Sequence, residues 1–354
     1  MSRRLIATTG AVLLALASLA RLDAQQAPAP GIKVLPIRGN IYMISGAGSN
    51  VVASVGKDGV LLVDAGTAAS TDALLATVRE LDRRVTASPE AARLCIGVVR
   101  GCNWWSSSNF LATTAGPPRP KPIIGIINTS ADADHIGGNE KLSAAGRTFG
   151  VRNLTNTVLG AWIVAHENVS TRLSPGGAPT VASGALPNET YFGDDKKLNY
   201  VNGEGVVITH VDAGHSDGDS MVFFRGSDVI AAGDVFNMQR YPTIDVARGG
   251  TINGVVNALN KLLDMTIVEH MMEGGTIVVP GHGRIADSAD LAYYRDMVTI
   301  MRDRVREMRK RGMTLDQIKA LKLTRDYDPR FGGDPAWTPA MFVEAIFNTL
   351  GPKT

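Results

Sequence analysis

Between Lys33 and Val63 apolar residues recur in short alternating runs cut by turn residues, and no other feature limits the chain's architecture as strongly. The runs Lys33 to Ile37, Ile41 to Ile44, Val51 to Val55 and Val60 to Val63 read as four strands. Arg38-Gly39-Asn40, Gly46-Ala47-Gly48 and Lys57-Asp58-Gly59 separate them. A period of two selects strands, and connections this short allow only an antiparallel meander. Asp64-Ala65-Gly66-Thr67 ends the fourth strand, and Ser70 or Thr71 opens a helix with Leu74, Val78, Leu81 and Val85 on one face.

The texture changes over residues 86–121, which hold Cys95, Cys102, Trp104-Trp105 and Pro117-Pro118-Arg119-Pro120. This reads as an insertion, either a binding loop or a passive surface excursion. Strand and helix patterns then alternate: strand Ile123 to Ile127, a helix near Glu140 to Ala145, and a helix around Asn156 to Glu167. A Gly/Pro-rich segment, Ser174 to Pro187, precedes strands Val206 to His210, Ser220 to Phe224 and Val229 to Ala232. A helix near Ile252 to Leu263 leads to strand Thr276 to Val279. The tail is helical. Leu291, Tyr294, Val298, Met301, Val305 and Met308 form one apolar stripe, and Gly312 ends it. Thr314 with Gln317 fits a capping box, and Thr338-Pro339 opens a last helix.

The first residues read as an export signal. A basic Met1-Ser2-Arg3-Arg4 precedes the apolar Leu5 to Ala20 and a cleavage site at Leu22-Asp23-Ala24. The apolar run is short for an uncleaved membrane anchor, and no other segment is long enough to span. The expected product is periplasmic or secreted. An oxidising compartment favours a Cys95–Cys102 disulfide over two free thiols or a zinc site. Once Arg3, Arg4, Arg21 and Asp23 are removed, basic and acidic residues balance, so nothing favours nucleic acid as a partner. The 38 glycines and 6% aromatics suit a turn-rich α/β protein. The organisation reads as signal peptide 1–24, linker 25–32, a catalytic-type domain 33–286 with the 86–121 insertion, and a helical extension 287–354.

Chemistry-bearing residues gather where strands end, which is where rigid elements hold ligands and loops converge. Asp132, Asp134 and His135 follow Ile123 to Ile127; His215 follows the strand ending at His210; Asp234 follows Val229 to Ala232; His282 follows Thr276 to Val279. Imidazole and carboxylate together suit zinc, iron or manganese. In this order, and with Asp64 ahead of them, these residues resemble the metallo-β-lactamase superfamily over roughly Lys33 to Ile285. The resemblance implies an αββα sandwich with two metals along one edge. It also implies hydrolysis by a metal-bound hydroxide of β-lactams, thioesters, lactones or phosphodiesters.

The departure from the family pattern is as informative. Family members carry His-x-His-x-Asp-His, whereas this chain reads Ser130-Ala131-Asp132-Ala133-Asp134-His135. The first metal position keeps His215 and, at most, Asp132. The second is complete with Asp134, His135 and His282, and Asp234 is the usual bridging carboxylate. One divalent ion beside three carboxylates leaves a formal charge of −1, which is expected to raise the pKa of Asp132 and suit it to general-base catalysis. Asp64 is expected to fix a turn, and Tyr241, Arg240 and Arg248 lie in a loop after Asp234 that either lines the pocket or, as is commoner for exposed loop residues, has no role. The reading is an exported hydrolase with one or two Zn²⁺ (or iron or manganese) acting on a small ester, lactone, amide or β-lactam. Two other classes compete. A diiron or dimanganese redox protein would use Asp132 and His215 as ligands, and a metal-stabilised binding protein would have no catalysis.

Overall fold

The computed structural model describes residues 31–87, 120–148, 160–267 and 274–351. Cys95 and Cys102, the expected signal peptide and nearly all of the expected insertion lie outside these residues. The N-terminal runs form the meander that their alternation predicts: β1 (Lys33–Arg38), β2 (Ile41–Ala47), β3 (Ser49–Gly56) and β4 (Gly59–Val63), each antiparallel to the next. The helix that follows, α1 (Thr71–Ala87), returns the chain so that β5 (Ile123–Ile127) joins β4 in parallel. Two short helices, α2 (Ala133–Ile136) and α3 (Asn139–Ala144), follow β5.

The helix expected around Asn156 to Glu167 is instead, over its described part, strand β6 (Trp162–His166), parallel to β5. Trp162 to Ala165 are buried on both faces of the sheet, so the run is continuously apolar and carries no period by which a strand and a helix could be told apart. Helix α4 (Glu167–Leu173) begins only after His166. A short β7 (Glu189–Tyr191) completes a seven-stranded sheet in the order β1 to β7.

A second sheet is built from β8 (Asp195–Val201), β9 (Glu204–His210), β10 (Ser220–Phe224), β11 (Val229–Asn237) and β12 (Ile277–His282), in the order 12-11-10-9-8. The neighbours are antiparallel except β11 and β12, which the intervening helix α5 (Ile252–Met265) makes parallel. The C-terminal helices are α6 (Ser288–Lys310), α7 (Leu315–Ala320), α8 (Asp328–Phe331) and α9 (Pro339–Thr349). Thr314 caps α7 in the capping box that its spacing with Gln317 predicts.

Side-chain alternation sorts the apolar residues into layers. Ile41, Met43, Val52, Leu61 and Val63 meet Val206, Ile208, Val222, Phe224 and Ala231 between the two sheets. Their neighbours Ile44, Val51, Val55 and Leu62 point the other way, onto Leu74, Val78 and Leu142 of α1 and α3. Met221, Ile230 and Val278 leave the second sheet toward Leu259, Leu262, Leu291, Met297 and Met301 of α5 and α6. The result is an αββα sandwich extended by C-terminal helices. Each of the larger buried side chains contributes about 1.5–3 kcal/mol, so the facing surfaces of the sheets are committed to the core. No helix among the described residues is long and apolar enough to cross a membrane.

Candidate metal centre

The loops leaving β4, β5, β9 and β12, with a bulged stretch of β11, bring the Asp and His residues together. Asp134 and His135 sit in α2, and Asp132 is its N-cap residue. His282 is the last residue of β12. Asp234 lies inside β11, not beyond its end, where pairing to β12 shifts register around Gly233. Glycines make room for it. Gly233 has φ +53° and abuts Thr129, and a Cβ on Gly281 would collide with Asp234 Oδ1.

Asp134, His135 and His282 offer ligand atoms within 4.8 Å of one another. His282 Nε2 lies 3.3 Å from Asp134 Oδ2 and 3.4 Å from Asp234 Oδ1, and His135 Nε2 lies 3.4 Å from Asp234 Oδ2. Donors held at about 2.0–2.1 Å around a tetrahedral ion are spaced about 3.3–3.4 Å apart, so these separations fit one divalent cation. His135 Nε2, His282 Nε2 and Asp234 Oδ1 are buried without a hydrogen-bond partner, and such groups need one unless a ligand satisfies them. The donor set therefore fits a metal ion.

The supporting residues explain the aim of these ligands. His135 is fully buried, and its Nδ1 donates to Asp64 Oδ2 at 2.8 Å, which leaves Nε2 to face the centre. Asp64 also accepts from the Thr129 amide and hydroxyl, both at 2.8 Å. It is more than a turn residue: it sets the His135 tautomer. Ser49 Oγ donates to the Asp134 carbonyl at 2.6 Å, and the Asn50 amide donates to Pro280 and Gly283 carbonyls, both at 2.9 Å, pinning the turn that carries His282. Nothing in the local sequence marks Ser49 or Asn50. Burial alone would lower the His135 pKa, but Asp64 and Asp234 hold it well above the ordinary range. Burial would raise Asp234, and His135, with His215 and His282, keeps it far below the usual carboxylate range.

Asp132, His215 and Asp234 form a second group with ligand-type atoms within 4.8 Å. Its contacts differ in kind. His215 Nε2 donates to Asp132 Oδ2 at 2.6 Å, and its Nδ1 donates to the Thr243 carbonyl at 2.9 Å. Arg248 donates to Asp132 Oδ1 through one terminal nitrogen and to Asp245 Oδ2 through Nε at 2.6 Å. The expected rise in the Asp132 pKa does not occur. Burial pushes it up, but the His215 hydrogen bond and the Arg248 charge outweigh burial and leave the carboxyl well below its ordinary value. Its hydrogen bond to Asp132, with the charges of Asp219 and Asp234, pushes His215 up to about 10 against its own burial.

The neighbouring loop divides between the two expectations. Arg248 reaches Asp132, whereas Tyr241 is fully buried, stacked 4.8 Å from the Phe342 ring, and Arg240 pairs with Asp334 at 2.8 Å. His166 and His210 stack on each other with centroids 3.6 Å apart, and neither belongs to the two ligand groups.

The protein is thus a four-layer αββα sandwich with a carboxylate–imidazole centre where strands from both sheets end. The family model of the metallo-β-lactamase superfamily matches residues 117–282 of the chain. Among solved structures, the stereoselective inverting sec-alkylsulfatase Pisa1 from Pseudomonas sp. is similar at a TM-score of 0.52 and 14% identity, covering 90% of this chain. A double mutant of the same sulfatase gives 0.54 at 13% identity. This chain spans 50% of the sulfatase's length. DIM-1 metallo-beta-lactamase gives 0.49 at 14% identity, over 76% of this chain and 98% of that one. No curated protein matches the sequence.

Proposed function

We propose that this chain is a metal-dependent hydrolase of a small ester, lactone, amide or β-lactam type substrate. One observation carries the reading: His135 Nε2, His282 Nε2 and Asp234 Oδ1 are buried without partners, and ligand atoms of Asp134, His135, His282 and Asp234 lie 3.3 to 3.4 Å apart in pairs, the spacing of neighbours on one divalent cation. Asp134, His135 and His282 would hold Zn²⁺, with Asp234 beside them, and the ion would supply Lewis acidity toward water and a scissile carbonyl. Asp64 keeps His135 oriented. Asp132, the expected base, serves instead to fix His215 and Arg248, because both of its oxygens already accept from those cations. Asp234 is the remaining buried carboxylate that faces the centre. The export signal at residues 1–24 and the Cys95–Cys102 disulfide belong to the same reading.

The test couples metal content to turnover. Purified without added metal and then loaded with Zn²⁺, the protein should hydrolyse at least one member of a panel of chromogenic esters, lactones, β-lactams and, given the likeness to Pisa1, a sec-alkyl sulfate. His282→Ala should lose both the ion and at least ~10²-fold of the activity, the lower range for removing a catalytic component. Ser130→Ala should keep both. Equal metal loss in the two variants, or turnover that survives in His282→Ala, would overturn the assignment.

A further inference from the structure

The resemblance implies two metal positions, and the donors at the first do not fit a metal. We infer that the Arg248 guanidinium takes the place of the first cation, closing that position and leaving a centre for one ion. The inference rests on the metal-centre reading above and concerns only how many ions that centre holds.

Spacing separates the two positions. Ligand atoms of the second lie 3.3 to 3.4 Å apart, as neighbours on one ion do. Asp132 Oδ2 and His215 Nε2 are 2.6 Å apart, the distance of a direct hydrogen bond and too short for two donors on one ion. The other Asp132 oxygen is taken by Arg248. Both nitrogens of His215 face acceptors, Asp132 on one side and the Thr243 carbonyl on the other. Asp234 is the only member of the group with an unpartnered oxygen, and that oxygen faces His282 of the second position.

Arg248 is placed, not adrift. Its backbone amide donates to the Asp245 side chain at 3.0 Å, and its carbonyl accepts from the Asp217 amide at 2.9 Å. The Asp245 amide in turn donates to the His215 carbonyl at 2.9 Å. Gly249, at φ +86°, turns the chain straight after Arg248, and Gly250 packs against the His215 carbonyl, where a Cβ would collide. One loop therefore orients His215 from Thr243 and delivers the guanidinium from Arg248. Arginine suits the task because its charge is permanent and its fork matches carboxylates. With Arg248 and the His215 imidazolium set against Asp132, Asp134, Asp234 and Asp245, a single divalent ion leaves the cluster formally neutral.

Stoichiometry tests this without reference to activity. Apoprotein titrated with Zn²⁺ in a calorimeter, with metal content checked by elemental analysis after dialysis, should saturate at one ion per chain. Asp132→Asn and His215→Ala should still bind one, and His282→Ala none. Arg248→Met, neutral and of similar length, uncovers Asp132 and should bind a second ion at excess Zn²⁺. Circular dichroism confirms that each variant is folded, and if Arg248→Met is not, the Asp132 and His215 variants decide. Two ions in the unaltered protein, one ion lost in Asp132→Asn or His215→Ala, or a single ion in folded Arg248→Met would overturn the inference while leaving the metallohydrolase reading intact. No ion in the unaltered protein would overturn that reading itself.

Discussion

Asp64 shows how much one side chain outside the ligand set can decide. It stands at φ +66°, a left-handed conformation that non-glycine residues seldom adopt and that Asp and Asn adopt most readily. The strained turn aims its carboxylate at the His135 ring and at Thr129 together. Asp64→Asn preserves the backbone conformation and the size, but weakens the acceptor that fixes the His135 tautomer. Zn²⁺ affinity, measured by competition with a chromophoric chelator, should fall about 10–100-fold, the usual worth of such a partner. Melting temperature should move little. An unchanged affinity would mean that Thr129 or packing alone orients the ring. Asp132 teaches the converse lesson: its type and position suggest a base, but its oxygens accept from His215 and Arg248, partners distant in the chain.

At the scale of elements, the junction of β6 and α4 couples folding to pH. His166 ends the strand and caps the helix, its Nδ1 accepting from the Asn168 amide at 3.3 Å, so that nitrogen must stay unprotonated. Burial, and next the facing His210 ring, lower its pKa from 6.5 to about 4, although Asp217 and Asp212 oppose the shift. Between these two values the unfolded chain binds a proton that the folded chain does not. Stability from this group is therefore present above pH 6.5 and is lost as pH falls toward 4. His166→Asn keeps a capping acceptor and removes the titration. Its melting temperature should fall less steeply than that of the unaltered protein over this window, and parallel profiles would assign the acid sensitivity elsewhere.

For the whole molecule, the C-terminal helices brace the loop that carries Arg248. The Tyr241 hydroxyl faces Asp328 Oδ1 at 2.8 Å and the Thr324 carbonyl at 3.1 Å. The Trp337 indole donates to Pro242 at 3.2 Å, and the Tyr294 hydroxyl donates to Arg240 at 3.0 Å. The helical extension thus reaches from the outer layer to the edge of the centre. Tyr241→Phe leaves the Asp328 carboxylate without this donor and should cost about 1.5–3 kcal/mol in urea denaturation, the range for hydrogen bonds to charged groups. A change below about 0.5 kcal/mol would show that stacking on Phe342 alone holds the brace.

Local pattern alone determined the meander of β1 to β4, the stripe on α6 and the capping box of α7, because alternation, helical period and cap chemistry are each written within a few residues. It also singled out Asp134, His135, His215 and His282 near strand ends, since a rigid element followed by Asp or His is a local signal, whereas Asp234, expected beyond its strand, lies inside β11. Strand β6 escaped, because burial on both faces erases the period that separates strand from helix. Only the tertiary structure decided which charges meet. Asp132 and Arg248 are 116 positions apart, and Asp64 and His135 are 71 apart. No pattern along the chain records such pairs. An ionisable group takes its role from the charges and dielectric that folding puts around it, and sequence fixes those only through the fold.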